Sequence, residues 1–281
     1  MNDNQNRTIA ITGSTGGLGK EICLKLAEMG ASLIFINRNL KKSEELANHI
    51  RSIYPQTKIQ IVTIDLENIE NVKKGVKELE KLNFDTLVLN AGIYNVPLKK
   101  TSTGINNVFQ VNFVSQYYLV KKLISKTDLK KVVAVGSIAY KNIKIDDNDI
   151  DYSTHKKQSK IYGNSKKFLM LSLMQLLKSN KNIEYSIAHP GITLTNMTSH
   201  YPKFINWFIK FGVKIVFPSP KKASLNITHA INNKCEYLTW IGPSAFDVWG
   251  KPKQKKLKHI YKNDCEKIFL QAEEIYKKVD L

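Results

Sequence analysis

Tyr162 and Lys166 stand four residues apart in the run Tyr162-Gly163-Asn164-Ser165-Lys166. On a helix that spacing puts both side chains on one face. A free phenol titrates near ~10, too high for easy proton exchange at neutral pH. An ammonium beside it favours the phenolate and lowers that value. Tyr162 could then act as a general acid–base near working pH. Ser137, 25 positions earlier, offers a hydroxyl able to hold a carbonyl or alcohol oxygen. Taken singly, a Tyr-x-x-x-Lys run is a weak signal here. The chain has 12 tyrosines, and its 43 basic residues less Arg7, Arg38 and Arg51 leave 40 lysines. The bland reading is a buried tyrosine beside a solvated lysine.

A second cluster is Thr12-Gly13-Ser14-Thr15-Gly16-Gly17-Leu18-Gly19. It follows an apolar run and opens an amphipathic one. Glycines let such a turn tighten and bring backbone N–H groups to a pyrophosphate, with the helix N-terminus adding positive potential. The strand–turn–helix context is what gives the glycines weight. A ligand-free tight turn is the alternative.

These residues need a framework, and the pattern supplies one. Apolar runs at 8–12, 33–37, 58–64, 86–90, 131–137 and 185–190 read as strands. Helical stretches at 18–30, 41–54, about 68–82, 105–126 and 157–179 alternate with them. Strands that are nearly continuously apolar, interleaved with helices, predict an α/β fold. Its sheet is doubly wound and parallel, Rossmann-type, and covered on both faces. The glycine turn, Asn90, Ser137 and His189 all fall at strand ends, where such sheets bind ligands. We expect one domain over 1–281.

Composition agrees. The chain has 281 residues, 42% hydrophobic and 24% charged, enough for a substantial core. Its net charge of +19 raises nucleic acid as a partner. Three arginines argue against that, because Arg is preferred for bidentate phosphate and base contacts. We expect no nucleic-acid partner. Cys23, Cys235 and Cys265 are far apart and form neither a disulfide framework nor a zinc site. No HExxH or paired-carboxylate pattern occurs, so no metal is expected. The polar start fits no secretory signal, and no run of ~18 apolar residues could span a bilayer. The expected location is cytoplasmic.

The ordered motifs resemble the short-chain dehydrogenase/reductase family in its compact single-domain form. The glycine spacing, Asn90-Ala91-Gly92, Val135-Gly136-Ser137, Tyr162 with Lys166, and His189-Pro190-Gly191 through Thr195 carry the likeness. The longer gap between Ser137 and Tyr162, with its acidic stretch IKIDDNDIDY, is nearest to the retinol dehydrogenase-like branch. There are departures. Gly136 replaces a common serine, and Ala139-Tyr140-Lys141 stands where that branch has a histidine-rich loop.

The resemblance implies Asn112, Ser137, Tyr162 and Lys166 as catalytic residues. Asn112 would support a water relay through Lys166. It implies Thr12, Gly13, Ser14, Gly17, Leu18, Gly19, Asn90, Ala91 and Gly92 at the cofactor. Tyr162, Lys166, Pro190, Gly191 and Thr195 would meet the same molecule beside the nicotinamide. Asp65 matches the adenine position, with the N-cap of the next helix as its other reading.

Cofactor choice is read at Asn37-Arg38, where an NAD enzyme normally carries a carboxylate. Its absence, with Arg38 suited to a 2′-phosphate, predicts NADP(H) as preferred and NAD(H) as the alternative. The implied activity interconverts a carbonyl and an alcohol. A non-catalytic NADP(H)-binding regulator is the runner-up, and a homodimer is a further expectation.

The segment 197–222 reads as a substrate lid over an apolar substrate. Phe204, Trp207, Phe208 and Phe211 recur at helical spacing, with Lys203, Lys210 and Lys214 flanking. Stretch 204–217 could therefore also touch an anionic bilayer. An ordinary core helix is the alternative.

Overall fold

A computed structural model describes residues 7–180, 182–191, 218–260 and 262–281. Six strands fall where the pattern predicts them: β1 (Thr8–Thr12), β2 (Ser32–Asn37), β3 (Ile59–Thr63), β4 (Thr86–Leu89), β5 (Lys131–Val135) and β6 (Glu184–Ala188). Four helices match as well: α1 (Gly17–Glu28), α2 (Leu40–Ile53), α3 (Ile69–Leu79) and, later in the chain, α5 (Gln158–Lys178).

The sheet order is β3-β2-β1-β4-β5-β6, continued by β7 (Thr239–Ala245) and β8 (Trp249–Lys256). The chain winds outward from β1 to β3, then returns to the other side of β1 as β4. A crevice opens at that reversal, at the carboxyl ends of β1 and β4. Successive strand residues face opposite layers. Ile9 and Ile11 of β1 join one apolar cluster with Leu33 and Phe35 of β2. Ala10, Ile34 and Ile36 join the other. Both faces are therefore covered, which is why the strands read as unbroken apolar runs.

The helix expected over 105–126 is interrupted. Helix α4 starts as Asn107–Phe109, widens to a π turn at Gln110–Val114 and resumes as α-helix over Ser115–Leu123. The polar stretch 141–157 folds around Asp149. Its carboxylate accepts from Ser153 N (3.0 Å), Thr154 N (3.0 Å) and the His155 ring (2.7 Å).

Beyond β6 the fold adds elements that the pattern does not announce. Helix α6 (Pro220–Asn232) is capped by Ser219. Strand β7 (Thr239–Ala245) continues the parallel sheet, and β8 (Trp249–Lys256) pairs with it antiparallel, so the sheet is mixed at this edge. Helix α7 (Lys262–Asp280) buries Cys265, Ile268, Ala272, Ile275 and Val279, at spacings of three and four, against the α4–α5 layer. Tyr117 donates to Glu273 (2.5 Å) and Lys122 pairs with Asp280 (2.8 Å), which fixes its register.

Of the expected lid, Pro220–Lys222 is the first turn of α6. Stretch 197–217, with the bilayer contact expected of 204–217, lies outside the described residues, as does Thr195.

Candidate active site

The site begins at the turn between β1 and α1. Gly13 has φ +68°, which side chains disfavour, and a Cβ there would lie 2.9 Å from the Ala91 Cα. A Cβ on Gly19 would come within 2.2 Å of the Gly13 carbonyl oxygen. Packing therefore demands both glycines. Gly17 differs, since a Cβ there meets nothing within 4 Å. The N-cap of α1, Gly16, makes no side-chain cap and the first turn holds no acid. The helix thus presents uncapped N–H groups and an unopposed positive end.

Two strand ends are joined behind this turn. Asn90 Nδ2 donates to the carbonyls of Thr12 and Gly13, both at 3.0 Å. Ala91 N donates to Thr12 Oγ1 (2.9 Å), and that hydroxyl donates to Gln116 Oε1 (3.0 Å). Asn37 Nδ2 donates to Ser14 Oγ (2.6 Å) and Ser43 Oγ (2.9 Å). The side chains of Thr12 and Ser14 therefore face the scaffold, and neither lines the cavity.

A cavity of about 610 Å³ runs along the carboxyl edge of the sheet. One end is walled by the glycine turn, Arg38 and Asp65. The other end holds Ser137, Tyr162, Lys166, Pro190 and Gly191, with Asn90, Ala91 and Gly92 between. Arg38 is exposed and has no partner among the described residues. The N-cap of α3 is Asn68, which accepts from Glu70 N and Asn71 N. Asp65 instead accepts from Glu67 N (3.0 Å) and borders the cavity, which removes the capping alternative.

Tyr162 and Lys166 share a face of α5, as the spacing predicts. Lys166 Nζ donates to the Val135 carbonyl (2.9 Å) and lies 6.0 Å from the centre of the Tyr162 ring. Burial pulls its pKa down to about 8. The expected lowering of the Tyr162 pKa is not found. Burial raises it, outweighing a hydrogen bond to Ser137 that acts the other way, and Tyr94 raises it further. Lys166 does not counter this, because its ammonium is turned to the β5 carbonyl.

Asn112 sits in the π turn and is fully buried. Its Oδ1 accepts from Ile93 N (2.7 Å), and its Nδ2 donates to Ile93 O (3.0 Å) and Ser165 Oγ (3.1 Å). Gln116 Nε2 donates to the Asn112 carbonyl at 2.9 Å. Side chain and carbonyl are thus both engaged. A Cβ on Gly92 would lie 3.3 Å from Lys166 Nζ and 3.5 Å from Asn112 Oδ1, so this glycine lets the two approach. Gly136 has a similar cause, since a Cβ there would lie 2.7 Å from Met170 Sδ.

Sequence reasoning missed Tyr94, whose ring lies 4.9 Å from that of Tyr162 and lines the cavity. It sits in irregular chain with no periodic signal. His189 was noted only for its context. It is buried, stacks on Trp240 at 4.7 Å, and its Nε2 donates to the Asp247 carbonyl at 3.1 Å. Burial lowers its pKa to about 4, so it is neutral at physiological pH.

The family model for short chain dehydrogenases matches residues 7–205. The chain belongs to that family. Among its relatives, mouse retinol dehydrogenase 14 is 28% identical over 211 residues, covering 69% of this chain and 63% of its own. The chloroplastic short-chain dehydrogenase TIC 32 A of Brassica napus is 28% identical over 221 residues, covering 70% and 67%. The match thus spans less than two thirds of the mouse protein.

Solved structures share the fold. An uncharacterized Mycobacterium paratuberculosis protein superposes with a TM-score of 0.78 at 21% identity, covering 97% of this chain and 94% of its own. A Sphingobium yanoikuyae short-chain dehydrogenase in complex with NADPH gives 0.59 at 19% identity, covering 80% and 84%.

In this short-chain dehydrogenase the residues present fit a dinucleotide. The open space at Gly17 is a cradle that a side chain would fill. The uncapped α1 N-terminus suits a pyrophosphate. Arg38, without a partner among the described residues, supplies a guanidinium at the far end.

Proposed function

We propose that this short-chain dehydrogenase is an NADP(H)-dependent oxidoreductase. It interconverts an aldehyde or ketone, of lipophilic character, and the corresponding alcohol. One observation carries the reading: a single cavity joins the glycine turn and Arg38 to Ser137, Tyr162 and Lys166. When bound, the nicotinamide supplies or takes the hydride.

The residues of the chain do the rest. The Ser137 hydroxyl holds the substrate oxygen. Tyr162 gives that oxygen a proton in reduction and takes it back in oxidation. Its raised pKa keeps the phenol protonated, the form that reduction consumes. The Lys166 ammonium, held on the Val135 carbonyl while the phenol is protonated, turns to the phenolate once it forms. Asn112, with both ends of its side chain engaged, holds the Ile93 backbone beside Tyr94 and Tyr162. Arg38 takes the 2′-phosphate, where a carboxylate would repel it. Ile93, Tyr94, Val111 and Ile138 give the substrate end an apolar wall, which favours a lipophilic carbonyl.

The test is NADPH consumption across aldehydes, ketones, retinoids and steroids. Turnover of at least one lipophilic carbonyl is expected. NADPH binding without turnover on the whole panel would instead favour the regulatory reading.

A further inference from the structure

The turn between β7 and β8 is built against its own stability. Val248 N donates to the Ala245 carbonyl at 3.0 Å, and the two residues between, Phe246 and Asp247, have φ of 51° and 59°. Two consecutive positive φ values mark the hairpin turn for which Asn and Gly are preferred. A bulky side chain in that conformation is disfavoured. Phe246 is also 87% exposed, more than any other aromatic among the described residues. A turn chosen for stability alone would hold neither feature. Such a conflict between local preference and sequence marks a position kept for function.

The surroundings narrow the partner. Trp249, 42% exposed, meets Phe246 edge-on with ring centres 6.4 Å apart. Lys251 and Lys253 follow on β8 and are both exposed, and a register shift just beyond the turn sets Lys253 on the face of the hairpin opposite Trp249. Segment 239–260 carries five lysines and only one acid, Asp247, which is already bridged by Lys141 and Lys255, each at 2.7 Å.

Pro252 and the lysines block a further strand from pairing with this edge. That explains the charges and disfavours a second copy of the chain, but leaves the aromatic tip unexplained. The segment holds no arginine, which disfavours nucleic acid. An aromatic tip rimmed by lysines fits the interface of an anionic bilayer, where rings settle at headgroup depth and lysines meet acidic lipid. No described helix is long and apolar enough to cross a membrane, so the contact is peripheral.

We infer that the β7–β8 hairpin docks the protein on an anionic lipid surface through Phe246 and Trp249, with Lys251 and Lys253 as its electrostatic rim. The hairpin packs on the rim of the cavity. A Cβ on Gly191 would lie 3.0 Å from the Val248 carbonyl oxygen and 3.1 Å from Pro243. Docking therefore holds the cavity mouth at the lipid. The inference stands whichever reaction the site performs.

The test is co-sedimentation of the full chain with phosphatidylcholine vesicles, with and without phosphatidylserine. Wild type binds the phosphatidylserine vesicles, and added salt weakens binding. Phe246→Asn keeps the turn's backbone preference, and neither it nor the double variant Lys251→Glu/Lys253→Glu touches the cavity. Each change lowers vesicle affinity by about tenfold or more. Absence of wild-type binding overturns the inference, as does binding that both variants leave unchanged. So does preferential retention on DNA at the same salt, or a dimer in sedimentation velocity that Phe246→Asn dissolves.

Discussion

Asn112 and Ile93 exchange two hydrogen bonds. The Asn112 amide accepts from Ile93 N at 2.7 Å and donates to Ile93 O at 3.0 Å. One buried side chain thus completes the backbone pairing of the loop after β4. Asn112→Leu should cost about 2–4 kcal/mol, because it strands two backbone groups. Asn112→Asp should also destabilise, since a carboxylate cannot donate to the Ile93 carbonyl. Urea unfolding of both variants checks this, and unchanged midpoints would remove Asn112 from the framework.

The glycines of the first turn should separate by role. Gly13→Ala and Gly19→Ala meet backbone at 2.9 and 2.2 Å and should both destabilise the fold. Gly17→Ala, with open space around it, should leave the melting temperature unchanged or higher, because Ala is the better helix former. It should still weaken NADPH binding, since the methyl enters the cradle. A thermal melt and a fluorescence titration on each variant decide the matter.

Stability at acid pH should carry the mark of His189. Its folded pKa is about 4, against 6.5 in a free chain. The unfolded chain takes up the proton first, so the stability present above pH 6.5 is lost as pH falls towards 4. The loss is about 3 kcal/mol at most. His189→Gln, whose amide can still donate to the Asp247 carbonyl, should flatten that slope. Equal slopes for wild type and variant in urea melts between pH 7 and 4.5 would contradict the assignment.

Arg38→Asp should weaken NADPH and strengthen NADH. A charge-assisted phosphate contact is worth about 1.5–3 kcal/mol, or roughly ten- to a hundredfold in affinity. Equal wild-type affinity for the two cofactors would sink the proposed preference.

Glycine and strand-end residues were the legible part of the site. Gly13 and Gly19 advertise close backbone approach because nothing else fits, and Ser137 sits at the end of an apolar run that could only be a strand. The π turn at Gln110–Val114 left no local trace, because Gln116 occupies the Asn112 carbonyl from a turn away and Ile93, in another segment, engages the Asn112 side chain. Strand β8, WGKPKQKK, lacks the apolar alternation that marks a strand and forms by pairing with β7. Spacing put Lys166 beside Tyr162, but only burial and the Val135 carbonyl decide where its ammonium points.

In the proposed reaction Tyr162 moves the proton while the rest of the cavity holds the cofactor. Tyr162→Phe removes one hydroxyl and leaves the ring against Tyr94. NADPH affinity and turnover should be measured on the same preparation of this variant, with a carbonyl that the wild type reduces. Unchanged NADPH affinity is expected, with turnover lower by about 10²–10⁴-fold. Turnover within about tenfold of wild type, less than a general acid contributes, would contradict it.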